Sequence, residues 1–317
     1  MLSHLSADIK RVIVAPLNWG LGHATRSIPI IRALISQGKE VIIASDGEAL
    51  ELLKEEFPHL PTEVLPGYKV QYKSKHLIYI ICSNLTNVSG AILKERKTVN
   101  RLVEKYNPDF IISDSRFGFR HDTIPSVILT HQLHLLHSNP LLKTGLNTVN
   151  TNLLNRFSEV WIPDNASHQW SGALSQNNKI KNQRFIGPLS RLTIGERHHQ
   201  YDLAIILSGP EPARTELEQE LISKYRVSSL LVCLVRGTLN AKPIKDIPNW
   251  TIISRANSQV INAVLLSSDR VISRSGYTSI MDYAALGIEA HLIPTPGQPE
   301  QEYLAKYLDG KKGLTAY

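Results

Sequence analysis

Short apolar runs alternate with helix-patterned stretches along nearly the whole chain, and the alternation starts twice. In the first half, residues 11–15, 40–45, 62–65, 109–113, 126–130 and 159–162 read as strands. Between them, residues 25–36, 47–57, 91–106 and 144–157 read as helices; Ile28, Ile31, Leu34 and Ile35 share one face of the first. Strands that are apolar on both faces and separated by helices predict a parallel sheet covered on both sides. The pattern restarts at Tyr201: a strand at 202–207, a turn at 208–212, a helix at 213–225, strands at 229–235 and 251–254, and a helix at 258–267. Two strand–turn–helix units follow, one running from 270–273 into Ser275 and Gly276, the other from 290–294 into Gly297 and Gln298. The expected fold is therefore α/β, with two doubly wound Rossmann-like domains facing across a cleft. Their bounds are 1–187 and 201–317, joined by a linker at 188–200 whose glycine, proline and charge show no period. Ligands bind such sheets beyond the carboxyl ends of the strands, and between domains.

Size and composition narrow the class. A chain of 317 residues, 42% hydrophobic and 20% charged, is large enough for two cores and has no low-complexity tract. Its two cysteines, Cys82 and Cys233, lie in apolar runs and cannot form a framework of bridges, and residues 1–8 lack the apolar core of a signal peptide. A cytoplasmic location is expected. The longest apolar stretch, 77–82, is far short of the ~20 residues a spanning helix needs. The net charge of +7 is scattered in small groups such as Lys69, Lys73 and Lys75, or Lys94, Arg96 and Lys97. That excludes a dense nucleic-acid patch and leaves a solvated surface, with peripheral membrane contact as the second reading.

Chemistry concentrates at the glycine turns. The start of the helix after Gly276 offers unpaired backbone N–H groups and the positive end of a helix dipole, which suits a phosphate. The same helix carries Asp282 in its second turn, and the next helix carries Gln301 and Glu302. Near the amino terminus Gly20, Leu21, Gly22 and His23 form a turn in which a neutral imidazole close to backbone dipoles could act as general base. Asp114 ends a strand, and is either a turn cap or a group that orients His23 or holds the acceptor. His131, His134 and His137 recur at intervals of three, which would place them on one helical face without a fourth ligand, so no metal is predicted. No cofactor is expected.

Taken together, the Gly-Leu-Gly-His loop and the block of Ser275, Gly276, Tyr277, Thr278, Asp282, Pro296, Gly297, Gln298, Gln301 and Glu302 resemble nucleotide-sugar glycosyltransferases of the GT-B fold. Within these the likeness is to glycosyltransferase family 28, whose best-known member adds N-acetylglucosamine to the lipid-linked peptidoglycan precursor. Residues 208–215 and 130–133 are similar to an uncharacterised bacterial subgroup. The resemblance implies inverting, metal-independent transfer from a nucleotide sugar, with uridine diphosphate as the leaving group, to an unknown glycan or lipid-linked acceptor of the cell envelope. It implies backbone donors from Ser275 and Gly276 to the diphosphate, with Tyr277 and Thr278 beside them, and Asp282 on the ribose. Gly297, Gln298, Gln301 and Glu302 would meet the donor sugar, Ser208 and Gly209 would close over the donor's other side, and His23 would face the acceptor with Gly20 and Gly22 shaping its loop. The family often has two glutamines where this chain has Gln301 and Glu302. It also usually ends in a helix returning to the first domain, whereas only residues 309–317 follow the last predicted helix.

Three other functions fit parts of the pattern. A dinucleotide-dependent oxidoreductase could use Asp46 on a ribose, but Thr25 stands where its fingerprint needs a small residue. A sugar-nucleotide epimerase would share the C-terminal nucleotide site, and a non-catalytic nucleotide-binding module would keep the site without the chemistry.

Overall fold

The computed structural model describes residues 5–67, 85–238 and 242–317, with backbone alone for 85–89. Lys69, Lys73, Lys75 and the run 77–82, with Cys82, lie outside the described residues. The chain divides into two compact units, Met1–Leu189 and Ser190–Tyr317.

In the first unit β1 (Arg11–Pro16), α1 (Leu21–Ser36), β2 (Glu40–Ser45), α2 (Gly47–Glu56) and β3 (Thr62–Val64) lead to the long α3 (Leu85–Tyr106). Then come β4 (Phe110–Asp114), β5 (Ser126–Leu129), α4 (Pro140–Leu154), β6 (Glu159–Ile162), one 3-10 turn (Gly172–Ser175) and β7 (Gln183–Phe185). The strands lie in the order β3-β2-β1-β4-β5-β6-β7, and each pairing is parallel. Val12, Ile13, Val14 and Ala15 of β1 are wholly buried because both faces of the sheet are covered, which is why this strand reads as a continuous apolar run. One core layer gathers Ile13, Ile42, Ile111, Val99, Leu102 and Phe119. Burying each such side chain is worth roughly 1.5–3 kcal/mol.

The second unit holds β8 (Tyr201–Ile206), α5 (Ala213–Tyr225), β9 (Val232–Val235), β10 (Trp250–Ile253), α6 (Ser258–Leu266), β11 (Ser268–Arg274), α7 (Tyr277–Leu286), β12 (Ala290–Ile293), α8 (Pro299–Leu308) and β13 (Leu314–Ala316). Its sheet order is β10-β9-β8-β11-β12-β13, again parallel. Leu203, Ile205, Leu217, Leu221, Leu234 and Ile272 form its core. Both units are Rossmann-like α/β domains. Gly237 shows how tightly the loops pack: at φ +69° an added Cβ would stand 2.4 Å from the Leu207 carbonyl oxygen.

Three differences from the sequence reading have physical reasons. Helix α1 begins at Leu21 instead of residue 25, since Gly20 takes the positive φ of 76° that ends the turn early. His23 therefore stands in the first helical turn. The strands β7 and β13 were not foreseen because each is three residues long and lies at a sheet edge. Residues 188–200 have no regular structure, yet they are tied to the second unit: Thr193 N donates to Asn262 Oδ1 (2.9 Å), His198 N to the Leu266 carbonyl (3.1 Å) and Arg197 Nη2 to the Ser268 carbonyl (3.0 Å).

Candidate active site

The order of each sheet decides where a site can form. In the first unit the chain reverses its direction of winding between β1 and β4, the adjacent strands that open its two halves, and the carboxyl ends of such strands leave a crevice. His23 follows β1 and Asp114 ends β4; Pro16 and Asp114 are register partners. The fold thus brings together two residues 91 positions apart, with His23 Nδ1 2.9 Å from Asp114 Oδ1.

Asp114 has no exposed surface and the His23 side chain is 19% exposed. Burial pulls the carboxyl of Asp114 upward, but Arg26 and His23 outweigh it and hold the group well below the usual carboxylate range. The imidazole of His23 is pushed below its ordinary value by burial first and by Arg26 second, against the opposing pull of Asp114. A neutral ring backed by a carboxylate is a competent proton acceptor.

Sequence reasoning missed Arg26 and Ser115, and weighed His131 as a metal ligand alone. Arg26 is 3% exposed and grips Asp114 through both Nε and Nη2. The available signal was a lone arginine in the buried part of α1, one turn after His23. His131 is buried beside it, in a loop; the expectation that His131, His134 and His137 share a helical face is corrected, because 131–139 precede α4 and are not helical. His137 Nδ1 accepts from Asn139 N (2.9 Å), and burial lowers the His134 imidazole. Asp46, the candidate ribose ligand of the oxidoreductase reading, is committed to Arg116 and to Asn18 Nδ2.

The second unit repeats the arrangement between β8 and β11, its own central pair. Ser208 and Gly209 follow β8; Arg274, Ser275 and Gly276 follow β11. Gly276 caps α7 without any side-chain cap, and an added Cβ there would meet nothing within 4 Å, so the helix start is open on that side. Gly209, at φ +106°, lies against Thr295 of the loop after β12, a buried residue whose hydroxyl lacks a partner. The Arg274 guanidinium is buried, donating to the carbonyls of Pro294 (2.9 Å) and Ala213 (2.6 Å).

Several predicted donor ligands are engaged in holding the loops themselves. Ser275 Oγ donates to the Gln301 carbonyl (2.8 Å). Gln301 Oε1 accepts from Thr295 N (2.9 Å) and its Nε2 donates to Gln298 Oε1 (2.6 Å), while Glu302 Oε1 accepts from Gly297 N (2.9 Å). Tyr277 is buried in the core and Thr278 is half-buried, so at Tyr277 only the backbone is placed to meet a ligand. Asp282 is 7% exposed and accepts from Ser190 Oγ (2.6 Å). Burial lifts its carboxyl to about 6, against the lowering effects of Arg191 and of Ser190.

Among the described residues, three metal-type ligands come within 4.8 Å of one another at His199, Asp202 and Asp269. They lie at the amino end of the second sheet, away from these loops, where His199 Nδ1 and Asp269 Oδ2 already form an exposed ion pair (3.0 Å).

Two family models match the chain: "Glycosyl transferase family 1" over residues 12–136 and "Glycosyltransferase family 28 C-terminal domain" over residues 244–317. An uncharacterized glycosyltransferase of Methanosarcina acetivorans is 23% identical over 313 residues, covering 89% of this chain and 79% of the relative. The chain is a glycosyltransferase of the GT-B fold. Solved structures of that fold superpose on the enzyme. The spinosyn rhamnosyltransferase SpnG complexed with thymidine diphosphate gives a TM-score of 0.65 at 16% identity over 96% of this chain and 86% of its own. Phytolacca americana UGT2, complexed with UDP-2fluoro-glucose and pterostilbene, gives 0.64 at 12% identity over 98% and 86%. The family 1 segment contains the first crevice, and the family 28 segment contains the β11 and α7 side of the second. Among its described residues, no helix is long and apolar enough to cross a membrane.

Proposed function

We propose that the enzyme moves a sugar from a nucleoside diphosphate, uridine diphosphate foremost, to an acceptor hydroxyl, with inversion and without a metal ion. The observation that carries this reading is the pairing of His23 with Asp114 at the carboxyl ends of β1 and β4. His23 would take the hydroxyl proton at Nε2 while the oxygen attacks the anomeric carbon, and the diphosphate would depart toward the start of α7 at Ser275 and Gly276. The thymidine and uridine diphosphate ligands of the structural relatives support a nucleoside diphosphate donor. The sequence likeness suggests a peptidoglycan-precursor-like branch, of the bacterial subgroup named above, with a lipid-linked glycan acceptor met at the cytoplasmic membrane face; the family 28 segment supports the donor half of that reading alone. Residues 1–187 would serve the acceptor and 201–317 the donor. Incubating a panel of nucleotide sugars with lipid-linked and soluble acceptors tests the reading: acceptor-dependent release of nucleoside diphosphate is expected. Interconversion of the donor sugar without acceptor, or binding without turnover, would replace it with an epimerase or a binding module.

Asp282 supplies a separate check. Its raised value of about 6 against an ordinary 3.8 means that ionising it costs the folded state; the cost is absent below about pH 4 and complete above about pH 6. Asp282→Asn should therefore stabilise the ligand-free protein at pH 7.5 by about 2–3 kcal/mol, seen as a higher Tm. The same change should weaken donor binding by ~1.5–3 kcal/mol through the lost charged acceptor for the ribose hydroxyls. Calorimetric titration with uridine diphosphate decides: undiminished affinity in the variant rules out the ribose role.

Metal independence is supported by the open start of α7, whose backbone N–H groups and dipole would take the charge of the leaving group. Turnover is expected to persist in EDTA. Complete loss, restored by magnesium or manganese, would place the enzyme in a different mechanistic class.

A further inference from the structure

Arg26 does more at His23 than its burial requires. A guanidinium carries five hydrogens in a fixed fork. Nε donates to Asp114 Oδ2 at 2.7 Å, and Nη2 donates to Asp114 Oδ1, so the carboxylate is held from both oxygens. The second hydrogen of Nη2 goes to Ser115 Oγ at 3.2 Å. Ser115 follows β4 directly with φ at 59°, in the left-handed region that a serine seldom adopts.

The carboxylate, with this count, points to the proton on His23. Nη2 also lies 2.9 Å from His23 Nδ1, nearer than Ser115 Oγ, yet both of its hydrogens have oxygen acceptors in Asp114 and Ser115, whereas the contact of Nδ1 with Asp114 has a hydrogen only if the ring supplies it. An ionised carboxylate can only accept. The 2.9 Å contact between Nδ1 and Asp114 Oδ1 is a hydrogen bond only when Nδ1 carries the proton, which leaves the lone pair on Nε2.

Charge leads to the same state. A carboxylate alone beside an imidazole favours the imidazolium form. Here the groups facing the ring are Asp114 at the end of β4, Arg26 from α1, and His131 from the loop after β5, with Ser115 uncharged. Burial disfavours the charged ring first, and Arg26 cancels the charge of Asp114 from the same distance, so the ring rests neutral.

We propose that Arg26 is a positioning residue that holds His23 as a neutral ring protonated at Nδ1 with Nε2 open to accept a proton, and that Ser115 takes part by occupying the remaining Nη2 hydrogen. This rests on the reading of His23 as the base. When the acceptor O–H bond breaks, its proton goes to Nε2 and its electron pair forms the new bond to the anomeric carbon, while the old glycosidic pair leaves on the diphosphate. The resulting imidazolium gains less from Asp114 than it would without Arg26. Arg26 thus exchanges base strength for a ring that is ready at neutral pH.

Nitrogen-15 NMR of the histidine side chains tests this in the intact chain without any substrate. Wild-type His23 should show the Nδ1–H tautomer and titrate below the ordinary 6.5. In Arg26→Gln its midpoint should rise by about one pH unit or more. In Arg26→Lys, which keeps the charge and loses the fork, the midpoint should stay near wild type while turnover falls ~10-fold or more. An Nε2–H tautomer or a midpoint above 6.5 in the wild type overturns the proposal with no variant needed, as does an unchanged midpoint in a folded Arg26→Gln. If the midpoint moves but the acid limb of kcat/KM does not follow it, control by Arg26 stands and His23 is not the base.

Discussion

Turnover of His23→Ala is expected to fall by a factor of ~10²–10⁴, with the affinity for uridine diphosphate essentially unchanged. The two halves of that expectation come from different units of the chain. His23 belongs to the first, where its ring is backed by Asp114; the loops after β8 and β11, proposed to meet the diphosphate, belong to the second, whose core is separate. Stability should fall by less than in Asp114→Ala: the side chain is mostly buried, but its removal leaves Asp114 still paired with Arg26. Single-turnover measurement with a competent donor and acceptor, beside a calorimetric titration of the nucleotide, reads both quantities. Retention of wild-type turnover would make His23 structural. A parallel loss of nucleotide affinity would show instead that the substitution disturbs more than proton transfer.

How much of this was visible in the sequence depended on whether burial leaves a mark on neighbouring residues. Central strands such as β1 and β4 are buried on both faces, so they announce themselves as apolar runs, and from them follow the parallel sheets and the edge where ligands bind. The edge strands β7 and β13 bury little and left no such mark. His23, Gly276 and Asp282 could be picked out because glycine turns and helix starts are local features. Arg26 could not be paired with Asp114, since the two are 88 positions apart and nothing nearby encodes the contact. The same limit hid the engagement of Asp282 by Ser190, 92 positions away. Gln301 and Glu302 are a subtler case. Their polarity was legible, but their reach back to Thr295 and Gly297 depends on how tightly the loop before α8 turns.

The largest effect on stability is expected from Asp114→Ala. Asp114 is wholly buried and Arg26 is 3% exposed, so removing the carboxylate strands a guanidinium in a place water does not reach. Breaking such a pair from one side typically costs ~3–5 kcal/mol, most of it the penalty of the unpaired charge rather than the worth of the bond. That origin has a consequence a simple loss of contacts would not share: the double variant Arg26→Leu with Asp114→Ala should be more stable than Asp114→Ala alone, because no charge is left uncompensated. The pH dependence has a fixed sign. Folding depresses the Asp114 carboxyl below its ordinary 3.8, so its contribution is fully present above about pH 4 and is lost as the pH falls through the folded value. His23 adds a term higher up. Its folded value lies below 6.5, and stability therefore declines as the pH drops under 6.5. Wild type should accordingly lose stability steeply below pH 4, whereas Asp114→Ala, already without the pair, should show a flatter profile there. Urea unfolding from pH 3 to 8, with the slope m checked for constancy across variants, measures all of this. A drop of less than about 1 kcal/mol in Asp114→Ala, or a double variant weaker than the single, would mean that Arg26 finds another partner once Asp114 is gone, and that the ion pair does not hold the His23 crevice together.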